Sequence, residues 1–153
     1  MATTAIDAHG LTVRAITLAD AGQIAELSGQ LGYQTSAAEM IERIHAILPG
    51  RVGHVALVAC HADKVIGWIE AEVVNHLQSA PHVLITGLVV KEGMRSLGVG
   101  RRLCGEIEQW AGRQGVSVLR VTSRSTREGA HRFDLREGFT HTKTSLVFEK
   151  VIS

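Results

Sequence analysis

Leu88 to Leu103 reads LVVKEGMRSLGVGRRL, and the organisation of the chain follows from it. Its first residues end a run, Val83 to Val90 (VLITGLVV), that is rich in β-branched side chains and reads as a strand buried on both faces. From about Val99 to Arg113 the spacing of Val99, Leu103, Ile107 and Trp110 predicts an amphipathic helix, which Gly115 ends. Between strand and helix stands Arg95-x-x-Gly98-x-Gly100. Glycines at such a junction let the main chain approach a ligand without interference from Cβ, and a helix start offers unpaired amides and the positive end of a dipole. The junction therefore suits a phosphate.

Two familiar phosphate-binding patterns do not match it. A P-loop needs Gly-x-x-x-x-Gly-Lys followed by Ser or Thr, and no lysine stands at that place. A dinucleotide turn needs a third glycine where this chain has Leu103, and the stretch comes late in the chain.

Upstream, His54 to Cys60 and Val65 to Asn75 flank the polar turn Ala62-Asp63-Lys64, a hairpin pattern, and Pro81 ends the loop that follows. Leu11 to Ile16 alternates as a first strand. Asp20 opens a helix carrying Ile24, Leu27 and Leu31, which Gly32 closes. Ser36 and Glu39 are spaced as a capping box for a second helix with Met40, Ile41, Ile44, Ile47 and Leu48 as its buried stripe and Pro49-Gly50 as its stop. Downstream, Ser117 to Thr122 reads as a strand, Glu128 to Glu137 as a short helix and Phe139 to Lys150 as one or two closing strands. The order β-α-α-β-β-β-α-β-α-β-β predicts an α/β fold (α+β mixed), a central mixed sheet of about six to seven strands flanked by about four helices.

Residues 1–153 are enough for one domain with its own core, and 45% hydrophobic against 20% charged residues is ordinary for a globular protein. A net charge of +1 with no basic run argues against a nucleic-acid partner. Cys60 and Cys104 lie in apolar runs, as buried thiols of a reducing compartment do. The eight histidines are scattered without metal-ligand spacing, so no metal is expected. Neither an export-type start nor an apolar run of about 18 residues is present, so a cytoplasmic protein with no membrane association is expected.

The Leu-Val-Val strand end, the short loop and Arg-x-x-Gly-x-Gly entering a helix together resemble the acetyl-CoA signature of the GNAT superfamily of N-acetyltransferases. Ala130 to Phe139, AHRFDLREGF, resembles that family's later helix, commonly Ala-x-x-Phe-Tyr-x-x-x-Gly-Phe. The resemblance runs from Val13 to Phe148 and is to small bacterial-type members, including relatives of the aminoglycoside N-acetyltransferases. It implies that acetyl-CoA is the co-substrate, with main-chain groups of Leu88, Val89 and Val90 holding the acetyl and pantetheine portion like an added strand. It implies too that the loop of Arg95, Ser96, Leu97, Gly98, Val99, Gly100 and Arg101 wraps the pyrophosphate, Arg95 adding charge. The acceptor implied is an amine of a small molecule or a protein. A homodimer is compatible with the family, although no residue marks an interface.

The chain departs from the family at two places. Asp134 stands where the family has the tyrosine that protonates the departing thiolate, and three readings stay open: a protonated Asp134 acts as acid, Asp134 binds the substrate's cation, or Ser123, Ser125 or water donates instead. Arg124 lies near where relatives have an asparagine, and either approaches a CoA phosphate or faces solvent. Loss of the tyrosine also raises a rival from another class, a non-catalytic acyl-CoA-binding or sensing domain.

The acceptor must lose a proton before it attacks, since an alkylammonium of pKa about 10.4 costs roughly 4 kcal/mol to deprotonate at neutral pH. Alternation between Val65 and Asn75 sets Trp68, Glu70 and Glu72 on one face and Ile69, Ala71 and Val73 on the other. Glu70 or Glu72 is thus a candidate base acting through water, with His82 a weaker one. Tyr33, between the first two helices, and Trp68 are candidate substrate contacts.

Overall fold

Strand pairing in this protein is organised by one long hairpin. In the computed structural model, which describes residues 10–30, 32, 34–48, 50–94 and 97–153, the strand β3 (Lys64–His76) pairs antiparallel with β2 (His54–His61) before it and with β4 (Ser79–Val90) after it. Leu31, Tyr33, Pro49, Arg95 and Ser96, named above, lie outside the described residues. Ala62 and Asp63 join β2 to β3 with φ of 48° and 64°, the left-handed pair that a tight two-residue hairpin demands. Strand β1 (Leu11–Ala15) adds antiparallel to β2, and β5 (Leu119–Val121) adds parallel to β4, giving the mixed sheet β1-β2-β3-β4-β5.

The helices are α1 (Ala21–Gly29), α2 (Ala37–Ile47), α3 (Val99–Arg113) and α4 (Glu128–Arg136). The chain divides into two compact units, Met1–Val121 and Thr122–Ser153. In the first, Ile24 and Leu27 of α1 and Met40 and Ile44 of α2 pack with Val58, Cys60, Val65 and Val89 of the sheet. The helix α3 covers the opposite face, because Gly67, next to Trp68 along the strand, meets Val99 and Leu103. A Cβ on Gly67 would lie 2.9 Å from Val99 Cγ1 and 3.0 Å from the Val89 carbonyl, so only glycine lets α3 approach this closely. Val99, Leu103, Ile107 and Trp110 are all buried, as their spacing requires.

The capping box of α2 is formed in both directions, with Ser36 Oγ accepting from the Glu39 amide and Glu39 Oε1 accepting from the Ser36 amide, each at 3.1 Å. Ile41 is a correction to its predicted stripe: it is 45% exposed, because the inward face of the helix is set by Met40 and Ile44 and the next residue round points away. The expected loop ending at Pro81 is also corrected. Pro81 sits inside β4 where the register slips between Val74 and His76, and the slip accommodates a residue with no amide to give the ladder.

The strand Val83 to Val90 is not buried on both faces throughout. Val83 and Ile85 are buried opposite Val73 and Ala71, whereas Gly87 and Val89 stand opposite Glu70 and Trp68. Thr86 is the extra residue between these halves, and a bulge of this kind reverses which residues face which side. The second unit holds α4, in which no residue is buried. The closing strands expected between Phe139 and Lys150 are not formed, so the sheet has five strands instead of six or seven. Alternating sequence alone does not make a strand; a ladder partner is required, and among the described residues none is assigned to residues 140–153.

Candidate active site

The β4–β5 ladder is short. It joins Val83, Leu84 and Ile85 to Leu119, Arg120 and Val121, and it stops at the residue before the Thr86 bulge. Leu88, Val89 and Val90 keep β3 as neighbour on one side, through Ile69, Trp68 and Gly67, but have no ladder to β5 on the other. Within the first unit, the described residues place no strand on their outer edge, the kind of edge to which an extended ligand adds its own donors and acceptors.

That edge leads into the glycine junction. Met94 donates its amide to the Lys91 carbonyl at 3.1 Å and Leu97 to that of Met94 at 3.3 Å, a tight turn that delivers the chain to Gly98. Gly98 adopts φ 71°, ψ 25° as the N-cap of α3, a left-handed conformation disfavoured for other residues, and as a glycine it brings no capping side chain of its own. A Cβ at Gly98 would meet nothing within 4 Å, so the space beside it is open. The first bond of α3 runs from the Arg102 amide to the Gly98 carbonyl at 2.9 Å; the Val99 and Gly100 amides precede it and have no carbonyl of their own helix to bond. An anion matches that vacancy in donors. Arg95 and Ser96 lie outside the described residues, and Arg101 is exposed at the first turn. A groove lined by Gln23, Leu27, Gln30, Lys64 and Lys91 adjoins the end of the β4 edge.

On the face of the sheet that carries Trp68, the predicted grouping of Trp68, Glu70 and Glu72 is present, each half-buried. The side chain of Glu70 is 35% exposed, and its Oε2 lies 2.6 Å from Nε2 of His54, whose side chain is only 5% exposed. His54 stands opposite Glu72 in the register, so it reaches Glu70 diagonally, a distance long side chains span. Oε1 of Glu70 has no protein partner among the described residues. Glu72 is only loosely paired, 3.9 Å from Arg51, with both side chains substantially exposed.

Trp68 lies across the bare main chain of Gly87, where a Cβ would come within 2.6 Å of its ring, and its indole N–H is buried without a partner among the described residues. It also packs against the α1/α2 core. His82 does not join this group. It is buried, and its Nδ1 bonds the Ala80 carbonyl at 3.2 Å. His54 was missed by sequence reasoning; its only signal was a polar residue at the start of an otherwise apolar strand.

The sulfur groups stay out of the chemistry. Cys60 and Cys104 are both buried, and burial pushes the Cys60 thiol above its ordinary pKa. Among the described residues no three His, Cys, Asp or Glu side chains converge as a metal would require.

In the second unit, Asp134 is half-buried on α4. Burial raises its pKa above the usual carboxylate value, against the opposing influence of His131 and Arg127. Arg124 is exposed, and its carbonyl takes a 2.7 Å hydrogen bond from Nε2 of His131.

A strand edge running into a glycine-led helix start can seat an extended ligand that ends in an anion. Residues 24–139 match the family model described as "Acetyltransferase (GNAT) family". The chain belongs to that family and is an acetyl-CoA-dependent N-acetyltransferase. No curated protein matches the sequence.

Among solved structures, the aminoglycoside antibiotic 6'-N-acetyltransferase AAC(6')-Ih from Acinetobacter baumannii is 19% identical with a TM-score of 0.79, covering 94% of this chain and 100% of its own. The aminoglycoside N-acetyltransferase AAC(6')-Iy in complex with CoA is also 19% identical with a TM-score of 0.79, covering 92% and 94%. A protein described as a transcriptional regulator from Bacillus halodurans C-125 has the same identity and TM-score, covering 92% and 99%. At this identity the likeness is one of fold. No helix among the described residues is long and apolar enough to cross a membrane.

Proposed function

We propose that this protein transfers the acetyl group of acetyl-CoA to the primary amine of a small cationic acceptor, by direct attack within a ternary complex in the cytoplasm. Both compact units are taken as one catalytic domain, since the family match runs across them. The observation that carries the reading is the end of the β4–β5 ladder at Ile85, which leaves the edge of Leu88 to Val90 for the acyl and pantetheine portion. The described residues fit the co-substrate at one point: the amides of Val99 and Gly100, at the start of α3, are free of bonds within their own helix and suit its diphosphate, and the resemblance assigns the rest of the 95–101 loop and Arg124 to the same role. Acetyl-CoA supplies the activated acetyl group.

Glu70 receives the acceptor's proton through a water molecule. Among the described residues its Oε1 faces no protein donor, and His54 fixes its other oxygen, so the carboxylate is oriented yet available. Glu72 and the Trp68 ring help hold a cation. Proton delivery to the departing thiolate needs modest help, because a thiol of pKa about 8.5 is a good leaving group. Solvent, Ser123 or Ser125 provides it, and Asp134, eased towards its neutral form by burial, is the remaining donor in place of the family's tyrosine.

Thiol release from acetyl-CoA, measured against a panel of polyamines, aminoglycosides and peptide amines, tests the reading. Release with small polycations and not with peptides is the expected result. Calorimetric binding of CoA with release for peptide amines alone, or for none of the panel, would overturn the small-cation reading.

A further inference from the structure

A groove of about 270 Å³ lies on the first unit between α1, the start of β3 and the end of β4, with the buried side chains of Leu27 and Val65 in its lining. It is on the α1 face of the sheet, whereas α3 covers the other face. Lys64, in its wall, is separated from Glu70 by about 20 Å along β3 at roughly 3.3 Å per residue, so the groove stands apart from the carboxylates.

The polar lining consists almost entirely of donors. The carboxamide oxygen of Gln23 accepts the Val65 amide at 2.9 Å, and that of Gln30 accepts the Glu92 amide at 2.9 Å. The main chain thereby orients each carboxamide and leaves its amino group for a ligand. The Lys91 amide bonds the Ile66 carbonyl at 2.7 Å, which makes Val65 and Glu92 neighbours across the strands, so glutamines two turns apart on α1 reach adjoining points. Lys64 and Lys91 add two ammonium groups.

Glu26 is the single anionic group of the lining. It lies between Gln23 and Gln30 at helical spacing and shares their face of α1. No ion pair joins it to Lys64 or Lys91 among the described residues. Charges of both signs therefore line one concave surface without neutralising one another. A bare anion would face Glu26 and a bare cation would face two ammonium groups, and juxtaposed like charges oppose binding. The complementary ligand carries an anion and a cation on one frame, and a groove below the usual volume of drug-sized pockets keeps that frame small.

We propose that this groove binds a free amino acid, its carboxylate among the amino groups of Lys64, Lys91 and the two glutamines and its ammonium on Glu26. The inference is independent of the acetyl-transfer reading, because no residue of the groove takes part in that chemistry.

The amide resonances of Val65 and Glu92 report on the site, since they donate to the glutamines that the ligand touches. The test is a titration of the isotope-labelled protein, without acetyl-CoA, with L-alanine, with propionate, which lacks the ammonium, and with ethylamine, which lacks the carboxylate. L-alanine is expected to shift both resonances saturably, propionate to bind about tenfold more weakly and ethylamine to leave them in place. Glu26→Gln should bring L-alanine and propionate to equal affinity, and Lys64→Ala combined with Lys91→Ala should abolish the binding of both. All three positions are exposed, and the spectrum of each variant shows that it is folded. No shift at Val65 and Glu92 up to about 50 mM L-alanine, equal affinity of the unaltered protein for L-alanine and propionate, an unchanged preference in Glu26→Gln, or undiminished binding in the double lysine variant would overturn the proposal.

Discussion

Two carboxylates on the first unit, Asp20 and Glu70, are each held by a basic side chain, yet they are built for opposite purposes. Asp20 is almost fully buried, and both its oxygens are taken: Arg14 bonds them bidentately at 2.7 and 2.8 Å, and the Thr17 amide and hydroxyl add 2.8 and 3.1 Å contacts to Oδ2. Glu70 is held at one oxygen only, by His54 at 2.6 Å, and is 35% exposed. A dry carboxylate with both oxygens bonded maintains geometry, since water and substrate have no route to it. A carboxylate held at one end is oriented at low entropic cost while its other end can accept a proton. The number of partners distinguishes scaffold from chemistry better than residue type does.

The largest expected effect comes from breaking the saturated site. Asp20→Ala strips Arg14 and Thr17 of their shared acceptor and should cost about 3 kcal/mol of stability in chemical denaturation, with turnover of the folded enzyme nearly unchanged. Its pH dependence has a definite sign. Burial alone would raise the Asp20 pKa, but hydrogen bonds from Arg14 and Thr17 together bring it below the usual carboxylate value. The unfolded chain therefore binds the proton more tightly, so this contribution is complete above the unfolded pKa of about 3.9 and is lost as pH falls through the lower folded value. Asp20→Asn should flatten the acid limb of a stability-against-pH curve.

Breaking the half-held site should do the reverse. Glu70→Gln is expected to lower turnover about a hundredfold while stability changes by less than about 1 kcal/mol. A large stability loss with full activity would erase the distinction between the two carboxylates. His54 sharpens it further: His54→Ala should cost about tenfold in turnover, and His54→Gln, which keeps a donor facing Glu70, should recover most of it. A His54 that merely packed would show no such rescue. The smallest effect belongs to Glu72→Gln, since its 3.9 Å pairing with Arg51 is exposed at both ends; about 0.5 kcal/mol and a modest rise in KM are expected.

What the sequence made legible was local. The α2 capping box, the α3 stripe and the shared face of Trp68, Glu70 and Glu72 depend on spacings within one element, and each is present. What escaped depends on register between elements. From the turn at Ala62 and Asp63, His61 pairs Lys64 and Cys60 pairs Val65, and an unbroken ladder would set His54 opposite Ala71, on the wrong face for Glu70. The slip between Ala59 and Cys60 moves His54 opposite Glu72 instead, and sequence periodicity carries no trace of it. Asp20 was read as a helix start because its position fits one; its grip on Arg14 depends on where β1 delivers that arginine. The segment 140–153 has the alternation of a strand, but whether a ladder forms depends on a neighbour the spacing cannot name.

Thr86 gives the fold a simple evolutionary arithmetic. Because it is one residue in excess, deleting its codon would let Gly87 follow Ile85 in uninterrupted pairing, and inserting one there would recreate the break. A straight β3–β4 ladder and a bulged one, with opposite faces presented beyond Ile85, are thus a single three-nucleotide step apart.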